Sequence, residues 1–238
     1  MDKIMNDENT TDESTEDEII PNKVIAVFGK TPGLSPIKTR LAATIGKKKA
    51  NELYNLCVDS TQTTLEKFVQ HNPEWRIVWA VGEKKGLEHP YWTERPFDKI
   101  WTGDGYLGTR LHQVYSTLIQ EHEAVLLTGT DSPQLNPETF IDAAKHIEES
   151  GSVIGPASDG GFYLFGNTRE IPQAVWESVP YSVETTRGEL LKRVVDDIPH
   201  LPEKSDLDIY EDIQTLIDEM PPYLHESQER LLRAFKNV

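Results

Sequence analysis

The sequence predicts an α/β fold, a sheet covered by helices on both faces. Three observations lead there. Apolar runs rich in Val, Ile and Leu alternate along the chain with helical patterns. The runs are continuously apolar instead of alternating with polar residues, as in strands buried on both sides. The 238 residues suffice for one such domain with a full core.

The elements follow in order. "KVIAVFGK" gives a strand at about 24–28, ending in a Gly/Pro-rich loop. From about Leu41 to Phe68 a helical pattern puts Leu53, Leu56, Cys57, Thr61, Thr64, Leu65 and Phe68 on one face. "RIVWAV" (76–81) is a second strand and "KIWTG" (99–103) a short third one. Residues 107–121 are helical, and "AVLLTG" after them is another buried strand. Pro137, preceded by Asn136, opens a helix to about Glu149. "SVIGPA" and "FYLFGN" are strands on either side of "SDGG". A helix over about Val183–Asp197, a short piece at "HLP", and helices near 209–219 and 225–236 complete the chain.

Charge excludes several functions. The net charge is −16, and residues 1–20 hold eight acidic residues against one lysine. That segment reads as a disordered tail preceding a single domain over 21–238, and it lacks the basic start of a targeting peptide. The acidic body argues against nucleic acid as a partner. No apolar run reaches the roughly 20 residues of a membrane span. The single cysteine, Cys57, rules out an internal disulfide, fits a cytoplasmic protein, and reads as a buried helix residue.

Ligands of such sheets bind outside the carboxyl ends of the strands. Four loops lie at those ends. "GKTPGLSPIKTRL" (29–41) carries Lys30, Lys38 and Arg40, cations set before a helix as in a phosphate site, although it is not a Walker A loop. In "TGDGYLGTRL" (102–111), Arg110 either binds phosphate or braces the loop, and Asp104 reads as a turn residue. In "TGTDSP", Asp131 reads as a metal ligand, because Asn136 already supplies the helix cap. Carboxylates with phosphate oxygens are the usual partners of Mg²⁺, and Asp206 and Asp208 in "KSDLDIYEDI" are candidate further ligands. In "GPASDGGFYLFG" (155–166), Asp159, Gly160 and Gly161 suit a tight turn. Taken as exposed charges, Lys38 and Arg40 should matter for ligand and little for stability. Asp131→Asn should leave the fold intact or steadier.

In that order, "KTPGLSPIKTRLA", "LGTRL", "GTDSP", "GPASDGGFYLFG" and "DLDIYEDI" resemble the nucleotide-diphospho-sugar transferase superfamily of GT-A fold. Within it they are most similar to the small bacterial family of arsenosugar-biosynthesis-type glycosyltransferases, formerly a domain of unknown function. That family is related to the phospholactate and molybdopterin guanylyltransferases. The resemblance spans about residues 23–216. It implies a Rossmann-like, mostly parallel sheet, with nucleotide phosphates on Lys30, Lys38 and Arg40. Mg²⁺, or Mn²⁺ in its place, would sit on Asp131 with Asp206 or Asp208. Gly160 and Gly161 would admit a small-molecule acceptor, and Asp159 is a candidate base. The implied activity is metal-dependent transfer from a nucleotide sugar. Nucleotidyl transfer from a nucleoside triphosphate, releasing pyrophosphate, is the alternative. A non-catalytic nucleotide-binding module is the alternative of another class.

Overall fold

The computed structural model describes residues 20–194 and 197–238. The acidic tail expected at 1–20 lies, apart from Ile20, outside them. Six strands form one sheet: β1 (Lys23–Gly29), β2 (Trp75–Val81), β3 (Asp98–Trp101), β4 (Ala124–Thr128), β5 (Ser152–Pro156) and β6 (Phe162–Asn167). Their spatial order is β3-β2-β1-β4-β6-β5. β1 runs parallel to both β2 and β4, and β2 parallel to β3. β6 is antiparallel to β4 and β5, so the sheet is mixed at one side only.

Period-two burial explains why both faces are covered. Along β1, Ile25 and Val27 enter one core with Trp79, Leu126 and Phe140, while Val24 and Ala26 enter the other with Val78, Tyr115 and Trp176. The first core lies under α2 (Lys47–Val69) and α5 (Pro137–Ser150). The second lies under α4 (Leu107–Ile119), α6 (Gln173–Ser178) and α7 (Thr186–Val194). A third core joins the outer side of α2, through Leu53 and Cys57, to α8 (Asp212–Asp218) and α9 (Glu226–Phe235), with Leu207 between them. That third core brings the chain's late segment back to the end of β1.

The structure departs from the sequence reading in places. The helix expected over 41–68 is two, α1 (Thr39–Ile45) and α2, because Gly46 takes φ +83 and ends the first. A 3₁₀ turn at Lys84–Glu88, the one-turn α3 (Pro90–Thr93) and α6 were not foreseen. The helix expected over 183–197 starts only at Thr186 and is described to Val194. The piece at "HLP" pairs alongside β5, Leu201 N–H reaching the Ile154 carbonyl at 2.8 Å. Among the described residues no helix is long and apolar enough to cross a membrane.

Candidate active site

The chain steps from β1 outward to β2 and β3, then returns to the other side of β1 as β4. The crevice between the carboxyl ends of β1 and β4 is therefore the switch point, where such sheets accept ligands. The loops carrying Lys30–Lys38 and Asp131 flank it.

The loop after β1 is fixed at its root. The Tyr54 hydroxyl, from α2, accepts from Lys30 N–H and donates to Lys30 C=O, both at 2.8 Å. Thr31 is fully buried; its N–H donates to Glu83 Oε2 at 2.8 Å and its hydroxyl accepts from Trp92 Nε1 at 2.9 Å. The Lys30 side chain is left exposed at the crevice.

Lys38 stands just before α1 in the left-handed region, φ 43, ψ 53, an uncommon place for a side chain with a Cβ. That conformation turns it inward. Its side chain is only 7% exposed, and Nζ lies 2.6 Å from Asp131 Oδ1 while also donating to the Leu207 carbonyl. Burial alone would lower the ammonium's pKa, but Asp131, and less strongly Asp206, more than reverse it, so Lys38 stays charged with a pKa above the ordinary value. The expectation of an exposed, energetically idle Lys38 fails for this reason. Asp131 neutralises a buried cation, which argues for a cost in Asp131→Asn where the sequence reading expects an intact or steadier fold.

Asp131 is itself half-exposed, at 52%, and its backbone carbonyl accepts from Leu207 N–H at 2.8 Å. Asp206, one residue before Leu207, is half-buried and accepts no hydrogen bond among the described residues. Burial first, then the charges of Asp159 and Asp131, push its carboxyl up to about 6 despite the nearby Lys38. Asp208 turns elsewhere: its carboxylate pairs with exposed Arg40 at 2.5 Å. Asp212 holds the N–H groups of Asp208 and Ile209, each at 2.7 Å.

The remaining predicted residues have visible work in the fold. Arg110 donates from Nη1 to Gly82 O (2.9 Å) and Thr102 Oγ1 (3.3 Å), and from Nε to Gly105 O (3.0 Å). Of the two readings open for it, bracing has the contacts. Asp159 Oδ1 accepts from Gly161 N–H at 2.8 Å, closing the β5–β6 turn. Gly160, at φ +87, has the Glu184 backbone where a Cβ would point, its oxygen 2.0 Å away. The close approach that Gly160 permits is made, on its Cβ side, by the chain itself.

Lys38, Asp131, Asp206 and Asp159 therefore share one neighbourhood, while Arg40 and Asp208 form a pair at its rim and Arg110 braces the β2 side. Among the described residues, no three His, Cys, Asp or Glu side chains converge as a ready cage for a metal. Mg²⁺ needs no such cage: it is commonly held by one or two carboxylates plus substrate phosphates and keeps several waters. Asp131 and Asp206, which accepts no hydrogen bond among the described residues, fit that donor set, and Asp208 pairs with Arg40 at its rim.

Residues 64–183, about half of the chain, match the family described as "Uncharacterized protein conserved in bacteria (DUF2064)". The chain belongs to this family. The DUF2064 match includes Arg110, Asp131 and Asp159, whereas Lys38 and Asp206 lie outside it. No curated protein matches the sequence. Among solved structures, a provisionally named nucleotide-diphospho-sugar transferase from Desulfovibrio desulfuricans G20 superposes with a TM-score of 0.77 at 21% identity, over 92% of this chain and 98% of that one. The 4-diphosphocytidyl-2C-methyl-D-erythritol synthase of Anaerococcus prevotii DSM 20548 gives 0.53 at 10% identity, over 82% and 94%. Rv0371c of Mycobacterium tuberculosis H37Rv, in complex with manganese, gives 0.50 at 11%, over 83% and 98%. These likenesses establish the fold, that of the nucleotide-diphospho-sugar transferases, as the sequence motifs implied.

Proposed function

We propose that this DUF2064 protein transfers a group from a nucleotide-activated donor, and that the donor is a nucleotide sugar. One observation carries the reading: at the switch point Lys38 meets Asp131, with Asp206 beside them. A buried cation and two carboxylates at this place suit a phosphate and a divalent ion arriving together.

On this reading Lys30 faces the donor phosphates directly, and Lys38 and Arg40 reach them by exchanging their carboxylate partners for phosphate oxygens. Asp131 and Asp206 would hold Mg²⁺ or Mn²⁺ brought in with the donor. When bound, the ion supplies neutralisation of charge on the departing diphosphate. The acceptor hydroxyl attacks the sugar carbon, the bond from that carbon to the diphosphate oxygen breaks, and the hydroxyl proton passes to Asp159. Arg110 keeps the β2 loop in register and contributes at most its remaining amino group to phosphate.

A second reading is favoured by the likeness to a protein named as a diphosphocytidyl-methylerythritol synthase. There the same residues would serve nucleotidyl transfer: a substrate phosphate attacks the α-phosphorus of a nucleoside triphosphate and pyrophosphate leaves. A screen of nucleotide sugars and nucleoside triphosphates, with and without Mg²⁺, separates the cases. Free nucleoside diphosphate supports glycosyl transfer, pyrophosphate supports nucleotidyl transfer, and binding without turnover reduces the protein to a nucleotide-binding module. Product release that survives in Asp131→Ala would move the site elsewhere.

A further inference from the structure

Four hydrogen bonds meet at Ser205, directly before Asp206. The Glu219 carboxylate, just past α8, accepts from Ser205 N–H at 3.0 Å and from the Ser205 hydroxyl at 2.8 Å. Gln134, 2% exposed and three residues after Asp131, donates from one amide nitrogen to Glu219 Oε2 at 2.9 Å and to the Ser205 carbonyl at 2.6 Å. The Ser158 hydroxyl, next to Asp159, reaches the Ser205 hydroxyl at 3.4 Å. All three segments that carry the site's carboxylates are therefore fastened at one serine.

We propose that Glu219 is a positioning residue that sets Asp206 against Asp131. Without it, Ser205 loses the acceptor for both its N–H and its hydroxyl, and Gln134 loses one of its two acceptors. The segment then keeps the pairing of Lys204 with Pro156 and Ser158 on one side and Leu207, held by Asp131 and Lys38, on the other, while Ser205 retains its contacts to Gln134 and Ser158. Asp206 sits between those two grips and, among the described residues, has no hydrogen bond of its own to set its direction. The inference rests on the reading of Asp131 and Asp206 as the place where a phosphate and its metal bind.

The test is a double-mutant cycle on the full chain, with Mg²⁺-pyrophosphate as the probe, because a diphosphate is common to both donor classes. Affinity is measured by calorimetry well below the melting temperature of every variant. Asp206→Asn should weaken binding about tenfold in the parent and less than about twofold in Glu219→Ala, since a mispositioned Asp206 has little left to lose. Glu219→Gln keeps an oxygen facing Ser205 N–H and Gln134, and an amide group facing the Ser205 hydroxyl; it should restore most of the Asp206 effect. A purely structural Glu219 would lower the melting temperature while leaving the Asp206→Asn penalty undiminished, and that result overturns the proposal. Should Glu219→Ala fold poorly, Ser205→Ala, which removes the hydroxyl contacts alone, should show the same pattern in smaller measure. If neither Asp131→Asn nor Asp206→Asn changes binding of the probe, the site reading itself falls, and this inference with it.

Discussion

Asp131→Asn keeps the size of the side chain and removes its charge. The group that suffers is Lys38, whose ammonium is buried and, among the described residues, would keep the Leu207 carbonyl as its one hydrogen-bonded partner. Breaking a fully buried pair costs about 3–5 kcal/mol. Asp131, however, is half-exposed, and water can reach the pair from its side, so about 1–2 kcal/mol is the expected loss. For a chain of this length that lowers the melting temperature by about 2–8 °C. Lys38 also fixes the pH window. Its folded pKa is raised, so its contribution is fully present below the unfolded pKa of about 10.4 and disappears as pH rises through the folded value. The gap should be widest near neutral pH and narrow as pH rises and Lys38 loses its proton, first in the variant, where burial is no longer offset by Asp131. Lys38→Met combined with Asp131→Asn removes both charges and should recover much of the loss. Circular dichroism melts of the three proteins test this. An Asp131→Asn variant that melts at or above the parent near neutral pH would refute the account of Lys38 as a buried cation held by Asp131.

Asp206 titrates with the same slope but in an acidic window, and there the charged form is the unfavourable one. Its carboxyl is raised from an ordinary value of about 3.9 to about 6, so the folded state binds the extra proton and stability falls as pH rises through that window. Asp206→Asn should therefore be the more stable protein at pH 7, by about 1–2 kcal/mol after solvent screening, with the gain absent below about pH 4 in urea titrations. Gly160→Ala meets both a positive φ and the Glu184 backbone and should cost about 2–4 kcal/mol. Gly188→Ala, in α7 with nothing within 4 Å of the added methyl, should instead stabilise by about 0.4–1 kcal/mol. Parallel thermal melts of the two glycine variants decide this, and equal effects would contradict the packing described at Gly160.

The sheet was legible because its strands are continuous apolar runs, a signal that survives without any knowledge of partners. The position of Asp131 followed from the rule that ligands gather at strand ends. The break at Gly46 was hidden by helical spacing that continues across it, and α6 is a six-residue helix anchored chiefly by Trp176. The burial of Lys38 could not be read locally. A lysine in a Gly/Pro loop looks solvated, and what covers it is Leu207, 169 residues further on. The Gln134–Ser205–Glu219 contacts span 71 and 85 residues and involve residue types that are usually found on surfaces. The acidic "KSDLDIYEDI" announced carboxylates, but their division, Asp206 toward Asp131 and Asp208 toward Arg40, depends on the third core that holds Leu207 between them.

That third core has a consequence for how the protein comes to be. As the chain is synthesised, Lys38 and Asp131 are available once β4 and its loop have emerged. Leu207, whose carbonyl and N–H bridge them, and Asp206 belong to a stretch made some 75 residues later (206 − 131). The helices that hold Leu207 inside come later still. A nascent chain released before α8 therefore carries half of the proposed phosphate site on an already pairing sheet, with the ammonium and its carboxylate open to water. Capture of a phosphate ligand should thus report completion of the chain, not formation of the sheet.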